Sequence, residues 1–180
     1  MNIFCYVESP IGRLMLTSDG ISLTGLYMNL YRNKPTKRPT PGTDWVQNAT
    51  QGPLPAAARQ LTEYFAGKRR EFDLPLNPQG TEFQQRVWAE LTQIPFGETR
   101  SYGQLAKRLG NSNASRAVGL ANGRNPIAII VPCHRVIGAD GSLTGFGGGL
   151  DRKEWLLSHE GHPGTQALAF GEGINSGAAA

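Results

Sequence analysis

The hydrophobic pattern of this 180-residue chain changes near its middle, and that change constrains the fold more than any other feature. Residues 3–8, 12–17 and 22–27 alternate between apolar and polar side chains, which predicts three short antiparallel strands. From residue 82 onward, apolar residues recur at helical spacing and predict a series of short helices. The chain is therefore predicted to be an α+β protein whose two domains meet near residues 77–80.

The predicted N-terminal domain, residues 1–78, contains a loop and a helix besides its three strands. Residues 33–55 are rich in Pro, Gly, Thr and Lys, which indicates an irregular loop. Residues 56–66 predict a helix that ends at Gly67, with Ala58, Leu61 and Phe65 on one face. Residues 72–76 predict an edge strand in which Pro75 would limit the pairing.

The predicted second domain, residues 79–162, opens with Thr81 as the N-cap of a helix over residues 82–94. A short helix from Ser101 to Gly110, a turn at 111–113 and a helix over 114–122 capped by Asn113 match a helix-turn-helix. The last predicted helix follows a capping box at residues 151–154 and ends at Gly161. Residues 163–180 are rich in Gly and Ala without periodicity, which predicts a disordered tail.

Charge is distributed unevenly along the chain. The net charge is only +4, but no acidic residue lies between Glu98 and Asp140. That window holds six basic residues: Arg100, Lys107, Arg108, Arg116, Arg124 and Arg135. A local basic excess is typical of proteins that contact nucleic-acid phosphates, although a solvated basic surface without a partner would have the same pattern.

The tetrapeptide at residues 132–135, Pro-Cys-His-Arg, follows a buried-looking apolar run and is the strongest candidate for a reactive site. A thiol reacts as the thiolate, so Cys133 needs a base, and His134 is its sequence neighbour. Neighbouring residues of a strand point to opposite faces, so their contact would require a turn or a bridging water. Glu160, from the last helix, would then orient His134. A buried structural cysteine is the alternative.

The remaining cysteine and histidine residues limit other chemistries. Cys133, His134, His159 and His162 do not have the spacing of a standard zinc site, so no metal and no cofactor are expected. Cys5 lies in a predicted strand and is expected in the core. Two unrelated cysteines favour a reducing, cytoplasmic setting, and no apolar run is long enough to span a membrane.

Residues 125–136, Asn-Pro-Ile-Ala-Ile-Ile-Val-Pro-Cys-His-Arg-Val, resemble the active-site signature of the O6-alkylguanine-DNA alkyltransferases, the methylated-DNA–protein-cysteine methyltransferases. Residues 101–106, 115–119 and 153–161 resemble further segments of that family in order and spacing. The resemblance is strongest over residues 81–162. It implies a small ribonuclease-H-like α/β N-terminal domain, followed by a helical domain that contains the helix-turn-helix and the active-site cysteine.

The resemblance implies a single-turnover repair protein that takes the alkyl group of O6-alkylguanine in DNA irreversibly onto Cys133, with O4-alkylthymine as a further candidate substrate. His134 would deprotonate Cys133 through a water, Glu160 would hold His134, and Tyr102 would donate to guanine N3. Arg116 would fill the place in the stack that the flipped base leaves, and Asn125 would pin the loop before the cysteine. The other residues implied in binding DNA and the flipped base are Ser115, Ala117, Val136, Phe146 and Gly147. The partner would be double-stranded DNA, bound by a monomer or cooperatively.

Two features qualify this interpretation. Some members have Tyr-Ser where this chain has Phe146-Gly147, and the smaller Gly147 would admit bulkier alkyl groups. Cys5 also lacks the zinc partners that some relatives have in the N-terminal domain. Two other functions stay open: a non-catalytic module that binds alkylated bases, or a helix-turn-helix regulator that senses alkylation through its thiol.

Overall fold

A computed structural model describes residues 2–28 and 41–162, and the chain divides into two compact units between Asn77 and Pro78. The first unit is built around a sheet and the second mostly from helices, so the α+β prediction is confirmed. Part of the predicted loop, residues 33–40, and the predicted disordered tail, residues 163–180, lie outside the described residues.

The sheet of the first unit contains the three predicted strands, each displaced by one or two residues. They are β1 (Asn2–Val7), β2 (Leu14–Ser18) and β3 (Leu23–Met28), and they pair antiparallel in chain order. Cys5 of β1 lies opposite Leu16 of β2. All five residues of β2 are buried, because this strand lies in the middle of the sheet.

A fourth strand, β4 (Trp45–Gln47), pairs parallel to β1 at the edge of the sheet. The prediction of an irregular loop over residues 33–55 is wrong at these three residues. A three-residue strand is too short to show alternation in sequence, and this one is partly exposed, so it carries no apolar signal.

The first unit also contains helix α1 (Leu54–Phe65), which begins two residues before the predicted start. Its buried face consists of Leu54, Ala57, Gln60, Leu61 and Tyr64, so the predicted face was rotated from the true one. The predicted edge strand over residues 72–76 is wrong: only a single parallel bridge forms there, between Leu23 and Leu76.

The second unit opens with helix α2 (Glu82–Leu91), whose predicted N-cap is confirmed. The Thr81 hydroxyl accepts from the Gln84 backbone N–H, and the Gln84 side chain accepts from the Thr81 N–H, which satisfies two donors at the helix start. The helix ends three residues before the predicted end. It packs against a later helix, where the Trp88 indole N–H donates to the Ala121 carbonyl at 2.9 Å.

The two helices of the predicted helix-turn-helix are α3 (Tyr102–Arg108) and α4 (Ser115–Gly123). Ser101 caps α3, and a 3-10 turn at Ser112–Ala114 joins the helices. The predicted cap at Asn113 is wrong: the side chain of Asn111 accepts from the Asn113 N–H instead, because the extra 3-10 turn moves the start of α4.

Two short strands, β5 (Arg100–Ser101) and β6 (Val136–Ile137), pair in parallel and bring the start of α3 beside the segment that follows Cys133. The last helix, α5 (Leu150–His159), starts after Gly149 and has no side-chain cap, so the predicted capping box is wrong. Gly149 has a φ of 94°, which only glycine adopts readily, and the chain enters α5 in this conformation.

Candidate active site

Cys133 lies in a 3-10 turn, Cys133–Arg135, which we call the cysteine turn. An irregular segment precedes it, in place of the buried strand that the apolar run suggested, and Ile129 there has a left-handed φ of 72°. Asn125 braces this segment: its amide N–H donates to the Val131 carbonyl at 2.8 Å, and its Oδ1 accepts from the Ile127 N–H at 3.0 Å. The turn supplies the change of direction that adjacent Cys and His side chains need in order to cooperate.

The structure brings His134 and Glu160 into contact. The His134 Nε2 atom lies 2.8 Å from Glu160 Oε1, and both side chains are fully buried. Glu160 is the C-cap residue of α5, one position beyond the helix. Its carboxylate also accepts from the Arg135 guanidinium, at 2.8 Å from Nε and 3.0 Å from Nη2, and from the Gly97 N–H.

Charges around this pair fix its protonation. Burial raises the pKa of Glu160, but the hydrogen bonds from His134 and Arg135 and the positive charge of Arg135 outweigh burial and hold that pKa well below its usual range. Burial lowers the pKa of His134; Glu160 opposes this shift, while Arg135 and Lys153 add to it. At neutral pH, Glu160 is therefore ionised and His134 is neutral, the form that a general base requires.

The thiol of Cys133 is almost completely buried, and burial raises its pKa. A hydrogen bond from the Asn125 side chain and the positive charge of Lys153 act in the opposite direction and favour the thiolate. The resting thiol is consequently protonated. Any reaction at sulfur requires a base, and the surroundings already hold groups that stabilise the anion once it forms.

Lys153 was not singled out by sequence reasoning, because a lysine in an amphipathic helix is expected on the surface. It is completely buried, and its ammonium group donates to the carbonyls of Val136 and Thr144. Burial lowers the pKa of Lys153 to about 8, and the Cys133 thiolate acts to raise it. Lys153 therefore links the segment that follows the cysteine turn to the glycine-rich loop, residues 143–149, that precedes α5.

Tyr102, the first residue of α3, reaches the same loop. Its hydroxyl donates to the Thr144 carbonyl at 3.1 Å, so this carbonyl accepts from both Tyr102 and Lys153. Phe146 is half-buried and Gly147 is exposed in this loop. A Cβ atom built on Gly147 would have no neighbour within 4 Å, so the position has room for a side chain.

The first turn of α4 carries three further predicted residues. Arg116 and Ala117 are exposed and Ser115 is half-buried, and no contact joins them to Cys133 among the described residues. The Cys133 carbonyl accepts from the Asn122 amide at 3.4 Å and from the Val136 N–H, and the carbonyl of Val136, a predicted base-binding residue, accepts from Lys153.

The basic window consists of residues in different environments, so the interpretation as one phosphate-contacting set is wrong for Arg135. Arg135 is 6% exposed and donates to Glu160 and to the Ile94 carbonyl. Arg100 and Arg108 pair with Glu98 and Glu90, respectively. Lys107, Arg116 and Arg124 are exposed and form no salt bridge with a described residue.

A search of residues 2–28 and 41–162 finds no three His, Cys, Asp or Glu side chains placed to hold a metal ion. The helices in that part of the chain are too short or too polar to cross a membrane. Cys5 and Cys133 are both free thiols.

Two family models match this chain. The model of the 6-O-methylguanine DNA methyltransferase ribonuclease-like domain matches residues 3–78, and that of the DNA binding domain matches residues 82–162. A methylated-DNA–protein-cysteine methyltransferase of Methanosarcina acetivorans is 54% identical over 158 residues, covering 88% of this chain and 97% of the relative. One of Mycobacterium tuberculosis is 53% identical over 154 residues, covering 86% and 89%.

Solved structures agree with these matches. The crystal structure of Mycobacterium tuberculosis OGT in complex with DNA superposes with a TM-score of 0.77 at 51% identity, covering 88% of this chain and 92% of that one. The crystal structure of Mycobacterium tuberculosis O6-methylguanine methyltransferase superposes with a TM-score of 0.78 at 51% identity, covering 89% of this chain and 93% of that one.

Proposed function

Because this chain belongs to the 6-O-methylguanine DNA methyltransferase family, we propose that Cys133 is the residue that accepts the alkyl group from the damaged base. The enzyme class is methylated-DNA–protein-cysteine methyltransferase, the partner is DNA, and the repair is a direct reversal of damage. One observation carries the assignment of Cys133: the thiol adjoins a buried histidine whose Nε2 is held at 2.8 Å by an ionised carboxylate.

The reaction begins with ionisation of the thiol. His134 takes the Cys133 proton through a water, and the positive charge that forms on the imidazole is stabilised by Glu160. The thiolate sulfur then attacks the alkyl carbon of O6-alkylguanine. The sulfur–carbon bond forms as the carbon–O6 bond breaks, and the electron pair of that bond remains on guanine. Since a thioether is not cleaved again, each molecule reacts once.

Tyr102 assists the departure of guanine. In the free protein its hydroxyl donates to the Thr144 carbonyl, a bond that would be exchanged for one to guanine N3. The Thr144 carbonyl keeps a donor after this exchange, because Lys153 continues to donate to it. Donation to N3 would stabilise negative charge on the leaving base.

Recognition of the flipped base falls to backbone groups. The carbonyls of Cys133 and Val136 would accept from the exocyclic amine of guanine, the first alongside its bonds from the Asn122 amide and the Val136 N–H, the second alongside its bond from Lys153. Asn125 keeps these carbonyls in place by bracing the segment before the turn. Phe146 and Gly147 would cover the alkyl group from the glycine-rich loop.

The first turn of α4 would contact duplex DNA at the flipped site. Arg116 is exposed there and would fill the stack that the damaged base leaves, while Ser115 and Ala117 would approach the DNA backbone. Arg116→Ala should therefore slow alkyl transfer from duplex DNA by about tenfold or more and leave transfer from free O6-benzylguanine nearly unchanged. Equal losses on both substrates would contradict a role in base flipping.

The assignment of Cys133 is tested by intact mass spectrometry after incubation with duplex DNA that contains O6-methylguanine. The expected result is a gain of one methyl group in place of hydrogen per molecule, with guanine restored in the DNA. Cys133→Ala should gain nothing while still binding the duplex, and Cys5→Ala should react like the unmodified chain. An adduct on Cys133→Ala would refute the assignment.

We also propose that the protein acts as a monomer in the cytoplasm. Both cysteines are free, as is usual in a reducing compartment. Sedimentation of the protein with short and long duplexes tests the stoichiometry: one molecule per short duplex is expected, and a dimer without DNA would contradict it. A purely non-catalytic module is not favoured, because such a module does not need the nucleophile and its buried base.

A further inference from the structure

Two buried side-chain atoms have no hydrogen-bond partner among the described residues: Asn122 Oδ1 and His134 Nδ1. Asn122 is 3% exposed and His134 is completely buried. Buried polar atoms in native proteins are nearly always hydrogen bonded, so each exception needs an explanation. Both atoms belong to residues that adjoin Cys133, which points to a common one.

The roles of these two atoms follow from their neighbours. The Asn122 Nδ2 atom donates to the Cys133 carbonyl at 3.4 Å, so the remaining amide atom is an oxygen that can only accept. His134 Nε2 faces the ionised Glu160 and therefore carries the ring hydrogen, which makes Nδ1 an acceptor as well. Residues that adjoin Cys133 thus supply two unsatisfied acceptors, and Cys133 itself supplies a thiol donor.

This combination complements a single water molecule. A water donates two hydrogen bonds and accepts at least one, and buried waters typically bind to two to four otherwise unsatisfied polar groups. The single thiol hydrogen could satisfy only one of the two acceptors and would leave the other without a donor. A water that accepts from the thiol and donates to both oxygen and nitrogen satisfies all three groups.

We propose that Asn122 is a positioning residue for alkyl transfer: its Oδ1, together with His134 Nδ1, holds the water that receives the Cys133 proton. This inference rests on the proposed function of Cys133. In the step, the S–H bond breaks and its proton passes to the water, while the water gives a different proton to His134 Nδ1. Asn122 Oδ1 accepts a hydrogen bond from the water's other hydrogen throughout. This bond orients the water and so fixes the direction of proton transfer.

Asn122 also has a structural alternative, in which it only ties α4 to the cysteine turn through its bond to the Cys133 carbonyl. Two variants distinguish these roles. If Asn122 holds the water, the Leu variant should lose more transfer rate than the Ala variant, whereas a purely structural role predicts the reverse order. Asn122→Leu keeps the volume but removes both polar atoms and leaves no room for a second water. Asn122→Ala removes the same atoms and leaves space that a second water can occupy.

The experiment measures the rate of transfer from free O6-benzylguanine between pH 6 and pH 9, together with the melting temperature of each variant. The free base removes DNA docking by α4 from the measurement. We expect Asn122→Leu to lose about tenfold in rate at pH 7, a fraction of what a general base typically contributes, and Asn122→Ala to lose about threefold. Both losses should shrink as the pH rises, because ionisation of the thiol then depends less on the relay.

Charged groups around the relay are the same in all three proteins. They are Glu160, Arg135 and Lys153, so a difference between pH profiles reports on Asn122. A larger rate loss in Asn122→Ala than in Asn122→Leu, or losses that do not change with pH, would overturn the inference in favour of the structural role. The unmodified chain controls for the proposed function: if it takes no alkyl group, that function fails, whereas a normal adduct with unchanged Asn122 variants refutes only the relay.

Discussion

Cys5 and Cys133 are both buried, yet their surroundings differ in every other respect. Cys5 lies in β1 opposite Leu16, and burial raises its pKa to about 11 with no opposing charge among the described residues. Cys133 lies in a 3-10 turn, where burial also raises the pKa but Asn125 and Lys153 favour the thiolate. The cysteine turn further supplies a neutral histidine held by an ionised carboxylate.

The comparison shows that burial alone does not make a cysteine either inert or reactive. In a strand, the neighbouring side chains point to opposite faces, and the groups around Cys5 are those of a hydrophobic core. At Cys133, the Asn125 side chain and the charge of Lys153 favour the thiolate, and the neighbouring His134 is held by Glu160 of the α5 C-cap. Burial then serves the reaction, because it keeps the thiol protonated until a base removes the proton.

Of the changes considered, removing the charge of Lys153 should reduce the difference in reactivity between Cys133 and Cys5 most strongly. In Lys153→Met we expect the reactivity of Cys133 toward iodoacetamide at pH 8 to fall by about tenfold, which corresponds to about 1.4 kcal/mol of lost thiolate stabilisation. Lys153→Arg keeps the positive charge and should therefore retain part of the Cys133 reactivity. The control is Lys68→Met, which removes an exposed lysine in the first unit. Unchanged Cys133 reactivity in Lys153→Met would show that Lys153 acts only on loop structure.

Acid should destabilise the unit that contains Cys133 more than the unit that contains Cys5. The pKa values of His134 and Glu160 are both lowered on folding, so the unfolded chain binds more protons as the pH falls through their ordinary ranges. The second unit should lose on the order of 1–2 kcal/mol of stability between pH 7 and pH 4. Hydrogen exchange, read separately from peptides of each unit, measures this loss, and Glu160→Gln should reduce it. Equal acid sensitivity in both units would count against the charge assignment.

A side chain at position 147 should have the smallest effect. Gly147→Ser meets no neighbouring atom and needs no left-handed backbone, so the fold should tolerate it. We expect the ratio of the benzyl transfer rate to the methyl transfer rate to fall by about threefold. One group added to a pocket typically changes the discrimination between two substrates by no more than about 1–3 kcal/mol. The measurement compares both rates in the two proteins, and an unchanged ratio would show that Gly147 does not set the substrate range.

Sequence patterns predicted the elements whose signal is local. The alternation of β1 to β3 and the cap at Thr81 depend on residues a few positions apart, and the structure contains all of them. The strand β4 pairs with distant β1 through only three residues, so nothing in its own sequence marks it. The predicted cap of α4 at Asn113 was wrong because a 3-10 turn, capped by Asn111, precedes α4, and α4 itself has no side-chain cap.

The site was predictable in its residue types but not in its electrostatics. The Pro-Cys-His-Arg sequence and a distant Glu160 indicated a nucleophile and a base. Arg135 was placed among phosphate contacts, whereas it is a buried partner of Glu160, and Lys153 is buried despite its charge. Burial of a charged residue depends on partners that the fold brings from far along the chain, and no local pattern encodes it.

The central claim, that surroundings and not burial select Cys133, is tested most directly within a single molecule. The protein is incubated with duplex DNA containing O6-methylguanine, digested, and the peptides carrying Cys5 and Cys133 are quantified by mass spectrometry. We expect methylation of the Cys133 peptide in proportion to the DNA repaired, with the Cys5 peptide unmodified. Methylation of Cys5, or of both cysteines to a similar extent, would contradict the account.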